Sequence, residues 1–239
     1  MFGIFTGVIV NALTVIAGTA AGCVFKGEKL KTIGERVFQG FGLFTVVLGV
    51  SGAIGLEHPL FMLISLILGT AIGEGIDLDD KFNRLGNWLQ KKFSKGEGDG
   101  FTNAFLSGVL LFCVGSMTIM GALQSGLENR HTIYFTKSVL DGFSSCMFAM
   151  GGGIGVGFAA IAVLLYQGAL VALASLLTPV MTPEIVALSS AVGSLALLGL
   201  GLNMLGITKL KVANFLPAMF IPILYQAVIM IFHLKSVLQ

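Results

Sequence analysis

The stretch Thr136-Lys137-Ser138-Val139-Leu140-Asp141-Gly142-Phe143-Ser144-Ser145-Cys146 carries an ammonium and a carboxylate four residues apart inside an otherwise apolar run. On a helix that spacing puts both groups on one face, within pairing distance. The chemistry open to them is reversible charge binding. Asp141 would accept a proton, a cation or a polar solute, and Lys137 would be the counter-charge that sets its affinity. Ser144 and Ser145 continue the face one turn further in, and Gly142 keeps the backbone approachable. The structural alternative is an ion pair that ties helices together, with Lys137 reaching outward.

Glu74, in Gly69-Thr70-Ala71-Ile72-Gly73-Glu74-Gly75, is a second carboxylate at the edge of an apolar run, and its flanking glycines would admit a neighbouring helix or a solute. Its alternative reading is an ordinary interfacial carboxylate ahead of Asp77. Asn11, Asn203 and Asn214 bring amides into three other apolar stretches, where they would bond between helices or to a solute. Thr14, Gln39, Ser116, Thr118, Ser189, Ser190, Ser194 and Gln226 spread further polar groups over most of the chain. The candidate solute- or ion-binding set is therefore Asp141, Lys137, Glu74, Asn11, Ser144, Ser145, Asn203 and Asn214.

Enzyme chemistry finds no foothold. There is no Gly-x-Ser-x-Gly elbow, no His-Glu-x-x-His and no Walker lysine. His58, His131 and His233 fall near the ends of apolar runs, with no metal-ligand spacing. Cys23, Cys113 and Cys146 are scattered and read as small buried apolar side chains. The expectation is a non-enzyme with no cofactor and no metal site.

These residues matter because of what must hold them. The chain has 239 residues, 55% hydrophobic and 11% charged, with mean hydropathy +0.94. A soluble domain averages roughly 25% charged. Such a composition cannot cover a soluble surface, and the class is an all-α, polytopic membrane protein. A net charge of +2 offers no footprint for nucleic acid.

A span needs about 20 apolar residues to cross ~30 Å of hydrocarbon. Eight stretches qualify, at roughly 3–25, 37–55, 59–77, 102–123, 132–150, 154–177, 184–205 and 212–234. The fifth and sixth are separated only by Gly151-Gly152-Gly153, so seven spans plus a re-entrant segment is the alternative. At 1.5 Å per residue, Asp141 falls about 10 Å below the outer surface. An ionisable group inside the hydrocarbon costs at least ~2.5–3.5 kcal/mol, which is why the pair is read as functional.

Charge placement orients the bundle. With the N-terminus outside, the inner loops hold Lys26, Lys29, Lys31, Arg36, Lys81, Arg84, Lys91, Lys92, Lys95, Lys209 and Lys211. Only Arg130, Lys137 and Lys235 remain toward the outside. Both termini are then outside. The N-terminus has no basic n-region or persuasive cleavage site, so the first apolar stretch is expected to remain as a span.

The chain divides into a three-span segment at 1–77, an inner connector at 78–100 and a five-span segment at 101–239, forming one membrane domain. In the connector, Leu78, Phe82, Leu85, Trp88 and Leu89 recur at helical spacing, which predicts an interfacial amphipathic helix. Ser94 to Gly100 reads as a flexible loop. Lys29-Leu30-Lys31 and Lys209-Leu210-Lys211 hint at a parallel internal repeat. Glycines four apart (Gly18/Gly22, Gly69/Gly73, Gly151/Gly155, Gly153/Gly157) allow close helix crossing within the chain or in a homo-oligomer.

The sequence resembles the bacterial family of uncharacterised membrane proteins typified by YdfK and YqgA. The resemblance rests on Asn11 with Gly18 and Gly22, on Leu68-Gly69-x-x-Ile72-Gly73-Glu74 and on Lys137-Ser138-x-Leu140-Asp141. Ser190-Ala191-Val192-Gly193 through Gly201-Leu202, and Asn214-x-Leu216-Pro217-Ala218, complete it. It implies a bacterial cytoplasmic membrane and carries over no reaction and no site residue. The residues themselves favour a secondary transporter of a small polar or ionic solute. A passive channel lined by the same groups, or a scaffold or sensor acting through the 78–93 helix, are the alternatives. The expected partners are the lipid bilayer and that solute.

Overall fold

The structure, a computed structural model, describes residues 2–24, 28–54, 58–93 and 100–232. It is helical throughout these segments, with no strand among the described residues. The α-helices are α1 (Thr6–Val24), α2 (Glu28–Ala53), α3 (Pro59–Ile76), α4 (Leu78–Phe93), α5 (Gly100–Cys113) and α6 (Ser116–Glu128). They continue as α7 (Thr132–Gly152), α8 (Ala159–Ala172), α9 (Ala174–Leu177), α10 (Pro183–Met204) and α11 (Ile221–Phe232).

Local sequence explains where these helices start and stop. Pro59 and Pro183 open α3 and α10, where a missing N–H costs nothing. Thr182 caps α10, its side chain accepting from Ile185 N at 3.3 Å. Asp77 and Asn129 close α3 and α6 in the left-handed region, at φ 46° and 51°. Residues Val212–Phe220 form a 3-10 segment instead of the regular helix expected there. Pro217 sits inside it and Pro222 follows, and each removes a donor and crowds the carbonyl four residues back. The two Lys-Leu-Lys segments thus sit differently, Lys29–Lys31 inside α2 and Lys209–Lys211 in the loop before this 3-10 segment.

By length and hydropathy, six helical stretches among the described residues could cross a membrane, or seven if a bent pair counts as one. The longest, Thr132–Ala172, is not straight. Asn11 bonds both Asp141 and Gln167, which a continuous helix would hold about 39 Å apart. The chain folds back through the 3-10 segment Gly153–Phe158, where Gly153 takes φ 69°. The glycine run is therefore a tight turn between two arms, and α8 with α9 extends about 28 Å. Counting the arms separately gives about eight crossings. The helix broken inside the bilayer is the one expected at 102–123, bent by 59° between α5 and α6.

Three close pairings set the bundle. α1 and α7 run parallel, with Gly7 against Tyr134, Gly18 against Gly142 and Gly22 against Cys146. α2 runs antiparallel to α10, with Gly42 against Leu205 and Gly52 against Ser194. α3 runs antiparallel to Val212–Phe220, with Gly69 against Ala218 and Gly73 against Asn214. Two of the four four-apart pairs, Gly18/Gly22 and Gly69/Gly73, are thus taken up by contacts within the chain. One face of the molecule gathers His58, His131 and Glu184, and the opposite face gathers Asp77, Asp79, Lys209 and Lys211. We call these the His58 face and the Lys211 face.

The main core, built on Phe101, Phe105, Phe112, Phe148, Val156 and Val163, lies among α1, α5, α7 and α8. Outward, large apolar side chains stay exposed along the spans, such as Leu13, Val139, Leu165 and Leu224. Hydrocarbon is the solvent that accepts such a surface. The helix expected at 78–93 is present as α4. Its Leu89 and Phe82 pack on the core and Gly86 on Thr102, while Leu85 and Trp88 point away from it. Residues 94–99 of the expected linker lie outside the described residues, and Gly100 already belongs to α5.

Candidate functional site

On α7, Lys137 and Asp141 sit one turn apart, both buried, with Nζ 2.6 Å from Oδ2. The four-residue spacing brings them together as expected. The face they share is turned toward α1, where Asn11 lies five residues into the helix and is fully enclosed. Asn11 Nδ2 donates to Asp141 Oδ2 at 2.9 Å and to Gln167 Oε1, on α8, at 3.2 Å. Gln167, equally enclosed, donates from Nε2 to the carbonyl oxygen of Phe112 at 3.1 Å.

That carbonyl is available because α5 stops at Cys113. In an unbroken helix Phe112 O would accept from the N–H of Ser116, but Ser116 begins α6. Gly115 makes the break with φ 117°, a backbone region closed to other residues without strain. Thr118 Oγ1 also donates to Phe112 O, at 3.3 Å, and Tyr134 OH donates to Thr118 O at 3.0 Å. A chain of bonds therefore runs Lys137–Asp141–Asn11–Gln167–Phe112 O across four helices. One atom in it has no partner: Asn11 Oδ1, buried beside the carboxylate.

Electrostatically the centre is a neutral pair in a low-dielectric setting. Removing either charge would leave the other uncompensated, which for buried pairs costs about 3–5 kcal/mol. An irregular backbone inside a membrane persists only where protein or a cavity satisfies it, and here Gln167 and Thr118 do so.

The other expected site residues fall elsewhere. Ser145 Oγ donates to Asp141's own carbonyl at 2.7 Å, a bond within the helix, and Ser144 is half-buried outside the network. Glu74 and Asn214 form a second cluster at the Lys211 face, with Asn214 Nδ2 2.6 Å from Glu74 Oε2. Asn214 Oδ1 accepts from Asp79 N at 2.8 Å, and Lys211 Nζ lies 3.3 Å from Asp77 and 3.4 Å from Glu74. The hydrogen bond to Asp77, with the charges of Asp77 and Glu74, raises the Lys211 ammonium above its ordinary value of 10.5. Glu74 is exposed, beside Asn214 and Lys211. Asn203 serves a loop: Oδ1 accepts from Thr208 Oγ1 and Leu210 N, and Nδ2 donates to Leu210 O.

Gln167, Tyr134 and the Phe112 carbonyl were not among the expected site groups. Gln167 is a lone amide in Val163-Leu164-Leu165-Tyr166-Gln167-Gly168, so the cost of burying it was a usable signal. For the carbonyl the only clue is Gly115.

A cavity of about 550 Å³ opens on the Lys211 face and is lined by Asp79, Asn83, Asn103, Ser107, Lys209 and Leu110 among others. On α5 it is lined by the one face that carries Asn103, Leu106, Ser107 and Leu110. Among the described residues no group of His, Cys, Asp and Glu could hold a metal ion.

The family model described as "Protein of unknown function (DUF554)" matches residues 6–227. The "Uncharacterized membrane protein YdfK" of Bacillus subtilis (strain 168) is 32% identical over 203 residues, covering 83% of this chain and 85% of that protein. The "Uncharacterized protein YqgA" of Escherichia coli (strain K12) is 30% identical over 202 residues, covering 83% and 86%. No solved structure gives a significant match. The chain belongs to the DUF554 family of membrane proteins.

Proposed function

We propose that this member of the DUF554 family is a secondary carrier, not an enzyme, that moves a small polar or ionic solute across a bacterial cytoplasmic membrane. In this reading the His58 face is outside, with both termini, and the basic Lys211 face is inside. The observation that carries it is the buried Lys137–Asp141 pair, joined through Asn11 and Gln167 to a backbone carbonyl at a mid-span helix break. Packing alone does not repay such an arrangement. An apolar substitute would avoid the desolvation of two charges and two amides. Discontinuous spans of this kind are the setting in which carriers place solute groups near the bilayer midplane.

The cavity on the Lys211 face supports a carrier over an open pore. It follows the face of α5 that carries Asn103, Ser107 and Leu110, while the groups of the centre stay buried on the other side of that helix. Access would require the two sides of the α5–α6 break to move. Lys211, which pairs with Glu74 and Asp77, lines this cavity and would meet solute before the centre does.

The test is flux in proteoliposomes, with wild type and Asp141→Asn run against a panel of inorganic ions, amino acids, organic acids and polyamines. The expected outcome is a solute flux in wild type that is lost in Asp141→Asn when both are assayed below the lowered melting temperature of that variant. A flux unchanged in a well-folded Asp141→Asn would overturn the assignment of the centre, and an unsaturable flux would favour the channel.

A further inference from the structure

The inventory of donors and acceptors at the centre narrows the solute's chemistry, on the premise that the centre is the transport site. The one unpartnered atom, Asn11 Oδ1, is an acceptor. Both hydrogens of Asn11 Nδ2 are already directed, to Asp141 and to Gln167, so the amide cannot turn over without losing those bonds. The charged group next to it, Asp141, is an acceptor as well. A ligand that completed this site would have to donate, and it would meet a carboxylate. An anion or a pure acceptor would complete nothing.

The site already holds a group of that kind. The end of the Lys137 side chain, a methylene bearing NH3+, reaches Asp141 Oδ2 at 2.6 Å and leaves Asn11 Oδ1 unmatched. It is an alkylammonium tethered one turn away on the same helix. The tether satisfies the carboxylate but does not bring the ammonium onto both acceptors. A free primary ammonium has no such restriction and can lie across Asp141 and Asn11 together.

We propose that the centre binds a primary ammonium group, that of a small protonated amine, and that Lys137 is its built-in competitor. The free amine takes the carboxylate when Lys137 withdraws along α7 toward the His58 face, about five residues from the start of that helix. The charge inside the centre is the same before and after, one carboxylate with one ammonium, so the exchange carries no penalty for a second buried charge. A tethered competitor acts at an effective concentration of millimolar or above, which the free amine must exceed.

The probes are methylammonium chloride, which matches the end of the lysine side chain, and tetramethylammonium chloride, which carries the same charge without N–H donors. Thermal melting of the purified full chain is followed in each, at matched ionic strength, for wild type, Lys137→Met and Asp141→Asn. Methylammonium raises the melting temperature of wild type and tetramethylammonium does not. Lys137→Met, with its competitor removed, responds at an about tenfold lower methylammonium concentration. Asp141→Asn responds to neither salt. Equal shifts with the two salts, or no methylammonium shift in either wild type or Lys137→Met, would overturn the proposal. Since wild type alone carries the comparison between salts, a poorly folded Lys137→Met leaves the test intact. An Asp141-dependent flux of an anionic or neutral solute, with no methylammonium shift, would remove the amine and leave the carrier standing.

Discussion

Asn11 is the residue on which the polar centre turns, because one amide nitrogen serves a carboxylate on α7 and a carbonyl oxygen on α8. Replacing it by alanine would leave Gln167 Oε1 without its donor and strip Asp141 of one of two. Loss of buried partners costs about 1–3 kcal/mol each in soluble proteins, and bonds between membrane helices average nearer ~0.6 kcal/mol. Asn11→Ala is therefore expected to destabilise by about 1–2 kcal/mol, read from chemical denaturation in detergent, and Asn11→Leu by a similar amount. The Lys137–Asp141 pair could be read directly, because four residues on a helix are one turn whatever the tertiary fold. The Asn11–Asp141 bond could not, because 130 residues separate its ends and only packing brings them together. Asn203 shows a second use of a lone amide in an apolar run: it holds the 208–210 loop and also lines the cavity on the Lys211 face.

At the scale of helices, apolar runs located nearly every element but not its shape. Expected as one regular span, 102–123 breaks at Gly115; Gly151-Gly152-Gly153, read as a very tight turn with a re-entrant segment as the alternative, leads into the 3-10 segment where the chain turns. Periodicity cannot separate these cases, since both runs are apolar on either side of a glycine. What distinguishes them is which carbonyls find other donors, and those donors come from α6 and α8. The same contextual rule governs the other glycines. A Cβ at Gly18 would collide with the backbone of Gly142, whereas one at Gly40 would meet nothing within 4 Å. Gly18→Ala is expected to push α1 from α7 and lower the melting temperature. Gly40→Ala is expected to raise it slightly, by the ~0.5–1 kcal/mol that alanine gains over glycine inside a helix.

For the whole molecule, the pairing directions argue for a bundle whose two faces differ in charge, with basic residues concentrated on the Lys211 face. In a background from which Cys23, Cys113 and Cys146 have been replaced, Glu184→Cys and Asn83→Cys place single thiols on opposite faces. A membrane-impermeant thiol reagent applied to whole cells is expected to label Glu184→Cys and to reach Asn83→Cys only after the membrane is opened. The opposite pattern would invert the orientation without altering the fold. The parallel packing of α1 on α7 bears also on how the chain is made. α1 leaves the ribosome well before α7 and α8, so the partners of Asn11 arrive only after more than a hundred further residues have been synthesised. Until then its amide waits in lipid or is held by the insertion machinery. α7 is better provided, because its lysine and aspartate neutralise each other within one helix and can enter the bilayer as a unit before any neighbour is present. Assembly of the polar centre is then late and non-local, and that centre is complete when α8 delivers Gln167. A variant without Lys137 would be handicapped first at membrane insertion, and its yield in the cell would fall before any defect in the finished protein could be seen.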